Sequence, residues 1–193
     1  MKQDGGYVRL QRDIRLDPDY RALSRDAQWL YKELLIDADF IGVADYAPRK
    51  LAKIAVNTTA LEIETAAAEL RAALFIVIDD ETGELLVRTF VKHDGLYKQP
   101  NMCVAMVKAF RRVGSPTIQG VISHELNRIK DATLAEIETA GLTPAKLKTE
   151  RDKAAHCFTT LTPIMQFTQV DPKQLLEGFV QGYDAQFESA DHF

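Results

Sequence analysis

Two histidines have neighbours that could do chemistry. His124-Glu125 begins as a zinc-protease motif does, but the second His of HExxH is missing, so a metal would lack its second helical ligand. His156 adjoins Cys157, yet neighbouring residues on a helix do not face each other, and a thiol–imidazole pair needs hydrogen-bond reach. Cys103 lies far from Cys157 and forms no CxxC; the pair reads as buried free thiols in a reducing compartment. There is no GxxxxGK[ST], so the P-loop that cradles nucleotide phosphates is absent, and Gly5-Gly6 is only a flexible start. Carboxylates are scattered without an acid–base pairing. No enzyme, cofactor or metal is expected.

The spacing that does stand out suits binding. KLAKIAVNTTALEIETAAAEL, residues 50–70, has the rhythm of a helix-turn-helix. Arg49, Lys50 and Lys53 mark the short helix, which in such a unit crosses a phosphate backbone. The longer helix carries Glu62, Glu64 and Glu69 and has no cation before Arg71. On a helical wheel Ile63, Ala66, Ala67, Leu70 and Leu74 form the core face. Opposite lie Leu61, Thr65, Ala68 and Ala72, edged by the three glutamates. Major-groove reading wants Arg, Lys, Asn or Gln there. A small apolar strip suits another protein's helix better.

The totals agree. The chain has 193 residues, 46% of them hydrophobic and 27% charged, and a formal net charge of −4. That composition is globular, and the mild acidity of both halves argues against strong non-specific DNA binding. The apolar run 72–78 is too short to cross a bilayer, and the first ten residues lack an apolar export signal. A cytoplasmic protein with no membrane partner is expected.

Several elements must position this unit. Val8, Leu10, Ile14 and Leu16 alternate, with Arg12 as the exception, which predicts a half-buried strand over 7–16. Ser24 is a good N-cap for a helix over about 24–38 carrying Ala27, Leu30, Tyr31, Leu34 and Leu35 inward, with Trp29 at the edge of that core. The connection Asp39–Gly42 has room for a short strand. Pro48 sits as a first helical residue, and Val56-Asn57-Thr58 forms the turn into the helix ending near Leu74. FIVIDD and ELLVRTFVKH read as two strands of a hairpin turning at residues 79–84, whose tip holds Asp79, Asp80, Glu81 and Glu84.

The second half is punctuated by Ser115-Pro116, Thr143-Pro144, Thr162-Pro163 and Asp171-Pro172, each a helix-start signal. Helices are predicted near 101–113, 115–130, 133–140, 143–160 and 171–187. QLLEGF, Gln174 to Phe179, reads either as part of an amphipathic helix or as a clamp-binding type of peptide. Residues 93–100 form the natural joint, dividing the chain into 1–99 and 100–193. Further cations lie on Arg9 and Arg15, sharing one strand face, on Arg88 and Lys92, sharing another, and on Lys108, Arg111 and Arg112.

Taken in order, YVRLQRDIRLDPDYRALS, LSRDAQWLYKELL, DADFIG, PRKLAKIA, ELRAALFIVIDD and ELLVRTFVKH resemble the N-terminal winged-helix domains of phage replication initiation proteins. The replisome-organiser and DnaD-like group is among them. The resemblance spans about residues 7–99. KQPNMCVAMVKAF is similar to the helical segment that follows this domain in some actinobacteriophage proteins. The resemblance implies an α+β fold, a winged helix-turn-helix domain followed by a small all-α domain. It also implies DNA binding or replisome assembly, with self-association through the winged helix. Two features depart from it: Ala73-Leu74-Phe75 stands where the family often has Gly-Leu-Ile, and the wing tip is acidic.

The expected function is therefore a phage-type, DNA-associated replication or regulatory protein. Arg49, Lys50, Lys53, Thr58, Thr59 and Thr65 are the candidates for contact with double-stranded DNA, through phosphates. Leu61, Thr65, Ala68 and Ala72 are the candidates for a protein partner: a host or phage replication protein, or a second copy in a homo-oligomer. The alternative is an adaptor or inhibitor of a host factor whose acidic winged helix no longer reads DNA.

Overall fold

The structure is a computed structural model that describes residue 8 and residues 10–176. It is mixed α and β, mostly helical, with one three-stranded antiparallel sheet. In chain order the elements are α1 (Pro18–Ala22), α2 (Arg25–Asp37), β1 (Val43–Asp45), α3 (Pro48–Leu51), α4 (Ala60–Ala72), β2 (Ile76–Asp79), β3 (Glu84–Val87) and α5 (Phe90–Asp94), then α6 (Pro100–Phe110), α7 (Pro116–Thr139) and α8 (Pro144–Met165). The sheet order is β1-β3-β2. No helix among the described residues is long and apolar enough to cross a membrane.

Local chemistry explains most boundaries. Ser24 caps α2 by accepting the Ala27 N–H at 3.1 Å, and Pro48 opens α3. Thr59 and Glu62 close a reciprocal capping box on α4. At the other end of α4 the Phe75 N–H reaches the Leu70 carbonyl and the Leu74 N–H reaches that of Arg71. This is a Schellman closure, and it holds Leu74 at φ 58°, a left-handed conformation that glycine normally takes. Leu74 thus lies just beyond the helix, half-buried. The Arg88 Nε–H donates to its carbonyl at 2.6 Å.

Several sequence expectations need correction. The strand over 7–16 does not form: Val8, Leu10 and Leu16 are exposed, and Arg12–Leu16 is a 3-10 turn. Tyr7 and Arg9 lie outside the described residues. The place beside β3 is filled by β1 instead, which pairs Val43 with Leu86 and Ala44 with Leu85. The strand expected over ELLVRTFVKH stops at Val87, and Phe90–Asp94 is helical. Gly42 lies so close to Phe90 that a Cβ there would sit 2.7 Å from the Phe90 Cβ, so the chain leaves the sheet where this ring packs down. Arg88 and Lys92 therefore share no strand face. The helices expected at 115–130 and 133–140 are one, α7. Thr162-Pro163 starts nothing: Pro163 lies inside α8, which continues while Leu161 and Ile164 are both buried. Of the helix expected over 171–187, residues 172–176 are helical and residues 177–187 lie outside the described residues, as does the second half of QLLEGF.

Buried side chains from Tyr20 to Ile164 form one hydrophobic cluster. Tyr20, Tyr31 and Phe75 meet edge to face in its N-terminal part, with ring centres 5.4–6.1 Å apart. Packing crosses the expected division at residue 99/100. Tyr97 stacks on Phe158, and Arg88 pairs with Glu125 at 2.8 Å, both largely shielded from water. Ser123 on α7 is fully buried, and its hydroxyl donates to the Met165 and Phe167 carbonyls, fastening α7 to the end of α8.

Candidate functional site

The α3–α4 unit presents a corner to solvent. Leu51 anchors α3 in the core and ends it, so Arg49 and Lys50 lie on the helix and Lys53, expected there too, in the turn after it; all three are exposed with no ion-pair partner among the described residues. The turn bends at Asn57, which takes φ 61°, a conformation Asn tolerates better than other side-chain-bearing residues. Around it stand three large apolar side chains in water: Ile54 (50% exposed), Val56 (89%) and Leu61 (71%).

On α4 Ile63, Ala66, Ala67 and Leu70 are buried and Leu61, Thr65, Ala68 and Ala72 exposed, as expected, but Leu74, expected on the core face, lies past the helix end and is only half-buried. The polar groups are less free than their exposure suggests. The Thr65 hydroxyl donates back to the Leu61 carbonyl at 2.8 Å. The Thr59 N–H and hydroxyl both donate to Glu62 Oε2, at 2.8 and 2.9 Å, and these bonds hold the Glu62 carboxyl below its ordinary range. Glu69 points away from the strip and accepts from the Ser24 N–H and hydroxyl, both at 2.6 Å, tying α4 to the start of α2. Thr58 is half-buried in the turn. Glu64 is the exposed glutamate on this helix with no hydrogen-bond or ion-pair partner among the described residues.

The acidic hairpin has an internal explanation as well. Glu84 accepts the Gly114 N–H at 2.9 Å and the Ser115 N–H at 2.7 Å. Asp79 accepts the Ser115 hydroxyl on one oxygen and the turn N–H groups of Glu81 and Thr82 on the other. Ser115 is the N-cap of α7 and also accepts the Ile118 N–H at 3.0 Å. The helix N-terminus concentrates unpaired N–H groups and the positive end of the helix dipole, so carboxylates are favoured there. The Ser115 hydroxyl, together with those turn N–H groups, holds the Asp79 carboxyl below the usual aspartate range, against the opposing effect of burial. Asp80 pairs with Arg71 at 3.6 Å. The hairpin is thus docked on the second half of the chain by its own charges.

The other cations divide. Arg88 is committed to Glu125 and the Leu74 carbonyl, whereas Arg15, Lys92, Lys108, Arg111 and Arg112 are exposed. His156 is exposed while Cys157 is buried, so they form no nucleophile pair. Packing of α6 on α8 brings Cys157 against Cys103; burial and this neighbouring thiol push Cys103 up to about 12. Such a thiol stays protonated and inert at neutral pH. No group of His, Cys, Asp and Glu among the described residues could hold a metal ion.

One feature had no sequence signal. Arg25, Trp29 and Lys32 of α2 face Val56, Thr58 and Glu62 across a groove of about 480 Å³. A capping box at Thr59-x-x-Glu62, by contrast, is legible as a pattern. Comparison with protein families, with curated proteins and with solved structures finds no match to this chain.

Proposed function

We propose that this chain is a non-enzymatic, DNA-associated assembly protein of the phage replication type, built on a winged helix-turn-helix whose α3–α4 corner docks protein. The order α2, β1, α3, α4, β2, β3 with sheet order β1-β3-β2 supports the winged arrangement. The observation that carries the docking role is the corner itself: Ile54, Val56 and Leu61 stand in water beside a strip of Thr65, Ala68 and Ala72. Covering Leu61 alone would contribute about 1.5–3 kcal/mol. Base reading is disfavoured because α4 offers that strip no amide or guanidinium donor, and its threonine hydroxyl is bonded to its own helix. The hairpin, gripped by α7, is not free to lie along a duplex. Contact with DNA is left to Arg49, Lys50 and Lys53, acting on phosphates.

The test is binding of a random-sequence duplex at several salt concentrations, run beside sedimentation of wild type, Leu61→Asp and Ala68→Arg. Neutralising Arg49, Lys50 or Lys53 should weaken duplex binding about equally for all sequences and lower the salt slope by about one for each phosphate no longer neutralised. Leu61→Asp and Ala68→Arg should disrupt assembly and leave the fold intact. Unchanged assembly with an altered DNA sequence preference in Ala68→Arg would make α4 a groove reader and overturn the proposal.

A further inference from the structure

We infer that the cavity between the Arg12–Leu16 turn, α2 and α5 binds a small organic cation. The ligand's ring lies among aromatic walls, a polar atom of it meets the Tyr31 and Thr89 hydroxyls, and its ammonium group sits at a carboxylate mouth. None of the corner's residues lines this cavity, so the site stands apart from the docking role. It encloses about 390 Å³, within the range of ligand pockets. Tyr31, Leu35, Phe75 and Phe90, all buried, form its inner walls. Leu10 and Leu16 line it too and stand 48% and 75% exposed, apolar surface that an occupant takes out of water.

Two features choose that chemistry. The first is a hydroxyl pair. Tyr31 is 3% exposed, and the one hydrogen bond of its hydroxyl among the described residues is with Thr89 at 3.4 Å. Good O–H···O bonds are about 2.7–2.8 Å long, so this buried hydroxyl is poorly satisfied. Both residues line the cavity, and a ligand's hydroxyl placed between them bonds to each. The second feature is charge. Asp13, Asp17, Asp19 and Asp94 line the cavity against two basic side chains, Arg88 and His93. Arg88 is engaged by Glu125 and the Leu74 carbonyl. Desolvation and the neighbouring Lys92 hold the His93 imidazole below its ordinary value, so it is uncharged at neutral pH. Asp17 caps α1, but the Asp13, Asp19 and Asp94 side chains have no hydrogen-bond or ion-pair partner among the described residues. Arg12, Arg15 and Lys92 lie on the same elements but do not line the cavity. The lining is therefore net negative, and a cation complements it. The carboxylates do not converge as metal ligands do, and the apolar walls suit a carbon body.

The probes are tyramine, phenethylamine, which lacks the ring hydroxyl, and hydroxyphenylpropionate, which carries a carboxylate in place of the ammonium group. Titrations of the full chain are followed by calorimetry and by the NMR resonances of the Tyr31 and His93 rings. Tyramine should bind saturably, at least about tenfold more tightly than hydroxyphenylpropionate and about fivefold more tightly than phenethylamine. Tyr31→Phe keeps the ring and should erase the difference between the two amines. Asp13→Asn combined with Asp94→Asn should weaken tyramine about tenfold and leave hydroxyphenylpropionate no weaker. Neither aspartate is bonded to the core, so this double variant reports on charge with the fold intact, which circular dichroism checks. Equal or tighter binding of the carboxylate in wild type overturns the cationic chemistry. Amines that bind alike in wild type overturn the hydroxyl contact. Tyramine binding that neither variant alters lies elsewhere and overturns the proposal, as does the absence of any saturable response of the two rings at millimolar tyramine.

Discussion

Replacing Glu84 by Gln asks whether the acidic hairpin holds the two halves of the chain together. Glu84 sits opposite Asp45 on β1 and Asp79 on β2, so three carboxylates crowd one end of the sheet. Like charges side by side in a sheet are unfavourable, unless something positive faces them. The N-terminus of α7 does so, giving its Gly114 and Ser115 N–H groups to the two Glu84 oxygens. Gln keeps the shape and one acceptor, but turns an NH2 group toward the second N–H. One charge-assisted bond, typically worth about 1.5–3 kcal/mol, is lost and the other becomes a weaker neutral bond. Relief of repulsion with Asp45 and Asp79 offsets part of this, leaving a net destabilisation of about 2 kcal/mol. For a chain of this size that lowers Tm by about 4–8 °C. Thermal melting followed by circular dichroism measures it, with Glu81→Gln as the control. Glu81 is exposed and its carboxylate has no partner among the described residues, so that change should cost less than about 0.5 kcal/mol. Limited proteolysis adds a second reading: residues 93–100 should resist cleavage in wild type and become susceptible in Glu84→Gln. Equal, small shifts for the two variants, or a wild type that melts in two steps and is cut readily at 93–100, would refute the reasoning.

Gly120 packs against the segment after α8: an added Cβ would lie 2.4 Å from Val170 Cγ2 and 2.9 Å from the Thr168 carbonyl oxygen. Because a backbone atom cannot rotate aside, Gly120→Ala should cost about 1–3 kcal/mol and speed protease cleavage beyond Met165; unchanged stability and cleavage would count against this packing. Asp79 titrates below the usual aspartate range in the folded chain, so its stabilising contribution is complete above the unfolded value and is lost as pH falls through the folded one. Urea melts should therefore show wild type losing stability more steeply than Asp79→Asn below about pH 4. Parallel acid profiles for the two proteins would separate Asp79 from the clasp.

Signals that act within a turn or two of chain are readable without a structure. Ser24 and the Thr59–Glu62 pair start helices by bonding groups three residues away, Pro48 opens one through its fixed φ, and the hairpin over 76–87 follows from two β-rich runs around a polar turn. The inward and outward faces of α4 follow from helical periodicity alone. The same local reasoning misassigns residues 7–16, where alternation suggests a strand that has no sheet beside it, because Val43–Asp45 occupies that edge. It also reads Pro163 as a start, although the buried Leu161 and Ile164 carry the helix through.

The use made of each charge is decided only by tertiary structure. Glu69 reads as the rim of an interface until folding brings it to Ser24, and the acidic hairpin reads as a surface that repels phosphate until it meets the N-terminus of α7. Arg88 reads as a surface cation until it meets Glu125. These partners are far apart in sequence, and a carboxylate's preference for an N–H group or a guanidinium does not specify which one. Chain topology makes that choice, by fixing which helix start lies beside which sheet end. The groove beside Trp29 has the same origin, since its walls come from α2 and the α3–α4 turn and exist only because α2 and α4 pack on a shared core.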